Sequence, residues 1–75
     1  MGNANLQKNL AGKVKHLRTL AGISQDNLAQ RCGLPTGQIA RIEEGAANPT
    51  LAAIQALAYA LDVSPAALFD DQPLD

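Results

Sequence analysis

The chain has 75 residues, 47% of them hydrophobic and only 3% aromatic, with a formal net charge of −1. That length holds one domain, whose core supplies only about 3–5 kcal/mol of net stability, and the apolar content excludes a disordered chain. The single cysteine excludes an internal disulfide and fits a reducing cytoplasm. No apolar run reaches the ~18 residues of a membrane span, and polar residues interrupt the apolar core a signal peptide would need.

Glycines, prolines and small polar residues punctuate the chain into five predicted helices. In the first, Leu6, Leu10, Val14, Leu17 and Ala21 recur at helical steps and form one apolar face. Gly12 weakens that helix by about 1 kcal/mol relative to alanine, and Gly22 ends it in a left-handed cap. Ser24 caps a second helix, with Asp26 favourably near the dipole in its first turn. Leu28, Ala29 and Cys32 point inward along it, and Gly33 ends it. Pro35 suits the first position of a third helix, with Ile39 and Ile42 inward and Gly45 as its stop. After the loop Ala46-Ala47-Asn48-Pro49, Thr50 caps a fourth helix with an apolar face of Leu51, Ile54, Leu57, Ala58 and Leu61. Ser64-Pro65 starts a short fifth helix carrying Leu68 and Phe69. The predicted organisation is an N-terminal arm and the start of the first helix over 1–9, an all-α, five-helix domain over 10–69, and an acidic tail over 70–75.

Charge is unevenly distributed. Lys8, Lys13, Lys15, Arg18, Arg31 and Arg41 all precede residue 43, where Asp26 is the only acid. Glu43, Glu44, Asp62, Asp70, Asp71 and Asp75 follow, with no Lys or Arg among them. A basic face for phosphates and an acidic face turned away fit that division.

Two short helices, Ser24–Cys32 and Pro35–Glu44, joined around Gly33-Leu34, match a helix-turn-helix unit. The residues within it are more specific. Ile23-Ser24-Gln25-Asp26-Asn27-Leu28-Ala29, Gly33-Leu34, Ile39-Ala40-Arg41-Ile42-Glu43-Glu44-Gly45 and Asn48-Pro49-Thr50-Leu51, continued by Leu57 to Ser64 and Leu68-Phe69, resemble the phage-repressor/Cro-like helix-turn-helix family. The resemblance covers roughly residues 10–69 and implies a lambda-repressor-like fold and a sequence-specific, double-stranded-DNA-binding transcription regulator, a repressor of bacterial or phage cytoplasm.

With Ile39 inward, steps of about 100° turn Gly37, Arg41 and Glu44 outward, flanked by Gln38 and Ala40, with Thr36 at the tip. The N-terminal part of this second helix of the pair enters the major groove. Arg41 suits a guanine, Gln38 an adenine, and Thr36 either a polar edge or a thymine methyl. At Gly37 readout is by close backbone approach, through water, or absent. The resemblance implies that Gln25 anchors the DNA backbone and braces a recognition side chain, with Asn48 similarly placed and Lys15 and Arg31 as further phosphate contacts. It also implies a partly buried structural ion pair, Arg18 with Glu43, and a homodimer through the C-terminal helices, with Tyr59, Leu68 and Phe69 at the interface.

Some features depart from the family pattern. Gly37 lacks a reading side chain, Glu44 faces outward, and Ala46-Ala47 replaces a turn that is commonly basic, so a shallow salt dependence is expected. No enzyme is expected, because His16 stands alone, Cys32 lies on an apolar face and no carboxylate pair has catalytic company. One Cys and one His without neighbours build no metal site, and no cofactor is expected. The alternative is an antitoxin-like or other protein-interaction module that retains the fold and takes a protein partner; Arg41 together with Gln25 argues against it.

Overall fold

The computed structural model describes residues 3–69, with side-chain surroundings over 8–68. Among these residues the chain forms four α-helices and no strand: α1 (Asn3–Ala21), α2 (Gln25–Cys32), α3 (Thr36–Glu43) and α4 (Leu51–Ala60), followed by a 3-10 helix over Pro65–Phe69. The expected fifth α-helix is therefore a correction. Five residues are too few to offset the cost of nucleating an α-turn, and the tighter 3-10 form is usual for so short a piece. α1 begins at Asn3, within the segment read as an arm and the start of the first helix; the acidic tail lies outside the described residues.

All four α-helices end alike. Backbone N–H groups beyond each end reach back to an earlier carbonyl: Ile23 to Arg18 at 3.3 Å, Leu34 to Ala29 at 3.0 Å, Ala46 to Arg41 at 2.9 Å and Val63 to Ala58 at 2.9 Å. This six-to-one bond requires a left-handed residue just before it. Gly22, Gly33 and Gly45 supply that conformation, whereas after α4 it falls to Asp62, at φ 60°.

The helix starts differ. Ser24 Oγ accepts from the Asn27 N–H at 3.0 Å and Thr50 Oγ1 from the Ala53 N–H at 3.1 Å, as N-caps do. Pro35, expected inside α3, instead precedes it in an extended conformation (ψ 143°) and offers no side-chain cap. Its ring fixes the approach to the helix, and its carbonyl accepts the N–H of Gln38 at 3.0 Å.

Every element contributes to the core. Val14, Leu28, Ile39, Ile42, Leu57 and Leu68 are fully buried, one or two from each of the five elements, and a side chain of this kind contributes about 1.5–3 kcal/mol on burial. α1 lies against α3 and the 3-10 helix, α2 against α3 and α4, and α4 against the 3-10 helix. Two residues placed on apolar faces by periodicity are instead exposed: Ala21 and Leu51. Both sit in terminal turns, where nothing lies over them. The arrangement holds α3 from beneath through Ile39 and Ile42 and leaves its opposite face open.

Candidate nucleic-acid interface

On the outer face of α3, Thr36, Gly37, Arg41 and Glu44 are exposed, and Gln38 and Ala40 are half-buried. Pro35, Gly37, Gln38 and Arg41 form one wall of an open groove of about 610 Å³, and Ala46 to Thr50 form the other. Asn48 is thereby brought beside Gln38 and Arg41. The first turn of α3 has no side-chain cap; the Pro35 carbonyl takes the Gln38 and Ile39 N–H groups, which leaves those of Thr36 and Gly37 as donors for an anion.

Behind this face lies a polar cluster. Arg18 Nε donates to Glu43 Oε2 at 2.6 Å and Arg18 Nη2 to Glu43 Oε1 at 3.1 Å, a two-pronged pair between α1 and α3. Arg18 Nη1 also donates to the Ile23 carbonyl at 2.9 Å, tying down the turn into α2. Gln25 Nε2 donates to Glu43 Oε1 at 3.0 Å. The Glu43 side chain is only 3% exposed and that of Arg18 16%. Burial pushes the Glu43 carboxyl up, but hydrogen bonds from Arg18 and Gln25, with the charges of Arg18 and Lys15, outweigh it and hold the group below its ordinary value. The hydrogen bond from Arg18 to Glu43 likewise raises the guanidinium, against the opposing effect of burial.

Two contacts were not visible in the sequence. The amide nitrogen of Gln25, a residue expected at the DNA backbone, is engaged by Glu43, which fixes Gln25 relative to α3. The Thr36 hydroxyl donates to Asp26 Oδ1 at 2.7 Å. The only available hint was the short α2–α3 turn, which brings the first turns of both helices close together. The remaining expected residues are dispersed. Lys15 is exposed on α1, near enough to Glu43 to stabilise its charge. Arg31 does not join the groove; it lines a separate depression of about 500 Å³ with Tyr59, Ala60, Asp62 and Val63. Tyr59 is 87% exposed, whereas Leu68, expected at a subunit interface, is fully enclosed in the core. The side chain of Phe69 lies outside the described residues. Cys32 is half-buried against the core and its thiol donates to the Leu28 carbonyl at 3.0 Å; burial pushes the thiol up.

A family model described as helix-turn-helix, HTH_3, matches residues 14–68, most of the chain. The chain belongs to the HTH_3 family of helix-turn-helix transcription regulators. Among solved structures, the restriction-modification controller protein C.AhdI from Aeromonas hydrophila is 36% identical, with a TM-score of 0.82 over 84% of this chain and 96% of that one. The hypothetical transcription factor NHTF from Neisseria is 30% identical, with a TM-score of 0.86 over 93% of this chain and 80% of that one. An HTH_3 family transcriptional regulator from Vibrio cholerae is 31% identical with a TM-score of 0.85, but this chain spans only 38% of it. No curated protein matches significantly by sequence. In this HTH_3 domain α2 and α3 are the helix-turn-helix pair, and α3 is the helix presented at the surface. Among the described residues there is no group of three or more His, Cys, Asp or Glu able to hold a metal ion, and no helix long and apolar enough to cross a membrane.

Proposed function

We propose that the protein is a sequence-specific double-stranded-DNA-binding regulator, a repressor that acts as a homodimer on a near-palindromic operator. The observation that carries this reading is the meeting of Gln38, Arg41 and Asn48 in one open groove along the free face of α3. Arg41 presents a forked donor to guanine O6 and N7, and Gln38 a donor–acceptor pair to adenine. Thr36 reads from the tip of the helix, and Gly37 lets its backbone come close. Asn48, Lys15 and the second amide hydrogen of Gln25, the one not given to Glu43, contact phosphates, which set register rather than sequence. The Arg18–Glu43 pair serves the fold and, through Gln25, the spacing of the two helices. Similarity to restriction-modification controller proteins supports a regulatory role for a domain this small. Tyr59, exposed on α4, is the candidate for pairing two subunits, whose recognition helices would then read half-sites about 34 Å apart.

The test is selection of binding sites from random duplex DNA by the wild type and Arg41→Ala. A near-palindrome is expected, and the variant should lose about 1–3 kcal/mol on it, with relaxed preference at one base pair of each half-site. Failure to enrich any sequence, even at low salt, would redirect the assignment to the protein-interaction reading that the outward Glu44 favours.

A further inference from the structure

The Thr36 hydroxyl and the Asp26 carboxylate meet at 2.7 Å between the first turns of α3 and α2. A carboxylate offers only acceptor sites, so the one hydroxyl proton belongs to Thr36 and points at Asp26. What Thr36 turns outward is therefore oxygen lone pairs and a methyl group. Both residues are exposed, and Thr36 is the first residue of α3, at the end by which such a helix enters the major groove.

Gly37 provides the second observation. Its φ lies outside the left-handed region, and a Cβ built on it would meet nothing within 4 Å. Neither its backbone nor its neighbours require glycine, and glycine weakens a helix relative to alanine. A bare backbone at this exposed position leaves room for a close approach from outside the protein. Thr36 is short, and its oxygen reaches a base edge only when the backbone beside it lies close to the groove floor. The bare Gly37 permits that approach.

Building on the DNA-binding reading, we propose that Asp26 is a specificity-determining residue that touches no base. By taking the Thr36 proton it makes Thr36 an acceptor-only reader. Thr36 then selects a base with an exocyclic amino group, adenine N6 or cytosine N4, and disfavours the acceptor edges of guanine and thymine O4. Thr36 without Asp26 would rotate its hydroxyl to suit either kind of edge. A purely electrostatic role for Asp26, repelling phosphates, would instead weaken binding to all sequences alike.

The experiment is site selection followed by competition binding, with Thr36→Val, Thr36→Ser, Asp26→Ala, Asp26→Asn and the double variant Thr36→Val/Asp26→Ala, each first checked for helicity. The base read by Thr36 is the position at which Thr36→Val flattens the preference while Thr36→Ser keeps it. In the wild type that position should favour an amino-bearing base by about tenfold. Asp26→Ala and Asp26→Asn should cut the preference there to about twofold or less, whatever they do to overall affinity. In the Thr36→Val background, Asp26→Ala should leave base preference unchanged. The proposal is overturned if Thr36→Val alters no position, if that position favours guanine or thymine through its acceptor edge, or if the Asp26 variants change affinity uniformly with preference intact. A wild type that selects no DNA removes the DNA-binding reading itself; a wild type that selects DNA with a preference indifferent to Asp26 removes only this inference.

Discussion

Glu43 is the residue on which most of the polar interior depends. It receives both prongs of Arg18 and the amide of Gln25, so its removal strands a guanidinium that is mostly out of solvent. Breaking a buried pair from one side costs about 3–5 kcal/mol, and for a domain of this size each kcal/mol lowers Tm by about 4–8 °C. Glu43→Ala is expected to lower Tm by more than about 10 °C in a thermal melt followed by circular dichroism. The pH dependence has a definite sign. The folded carboxyl lies below its ordinary 4.5, so its contribution is complete above 4.5 and is lost as the pH falls through the folded value. Glu43→Gln should melt below the wild type at neutral pH, and the two curves should converge under acid; a constant gap would refute the charged pair. Gly37 makes the opposite trade. Gly37→Ala should stabilise α3 by about 0.5–1 kcal/mol while weakening DNA binding. Equal affinity with a raised Tm would show that no close approach occurs there.

Of α2, α3 and α4, only α3 starts without a side-chain cap, and α4 alone ends on a left-handed residue other than glycine. Ser24 and Thr50 close the first turns of α2 and α4 with side-chain oxygens, whereas no side chain does so after Pro35; its carbonyl takes the Gln38 and Ile39 N–H groups, and the Thr36 and Gly37 amides are the ones left open. That exposure fits a helix whose N-terminus meets phosphates. At the end of α4, Asp62 holds the left-handed position that glycine holds after the other three helices. A side chain there costs about 1–2 kcal/mol, and its negative charge opposes the helix dipole. Asp62→Gly is accordingly expected to stabilise the domain by about 1 kcal/mol, seen as a higher urea midpoint with an unchanged slope. A lower midpoint would mean that Asp62 makes a compensating interaction.

Considered whole, the molecule measures 32 × 24 × 18 Å, and its largest outward apolar groups include Tyr59 and Leu51 on α4 and Leu20 on α1. Leu51 and Tyr59 lie about two turns apart on α4 and roughly 80° apart round its axis, with the exposed Gln55 between them; this is the surface a second copy would cover in a symmetric contact. If that surface pairs subunits, sedimentation should show a dimer that Tyr59→Asp converts to a folded monomer with weakened operator binding. Leu68→Ala should behave differently, costing about 2–5 kcal/mol of stability, because Leu68 fills the core rather than an interface. A wild type that stays monomeric at high concentration would exclude the dimer.

The sequence by itself determined the helical class, the helix-turn-helix pair, most of the inward residues and which side of α3 faces outward. These follow from local chemistry: apolar periodicity, glycine at left-handed stops, and hydroxyls at helix starts are each written within a few neighbouring residues. The Gly22, Gly33 and Gly45 stops and the Ser24 and Thr50 caps were legible for that reason. Tertiary structure decided the rest, because it depends on which residues distant in sequence meet. Only packing showed that Leu68 is core, that Leu51 is exposed, that Arg31 lies apart from the groove and that the last helix tightens to 3-10. Only the crossing of α2 and α3 brought Gln25 to Glu43 and Asp26 to Thr36. A hydrogen bond between side chains on different helices has no periodic signature in the chain.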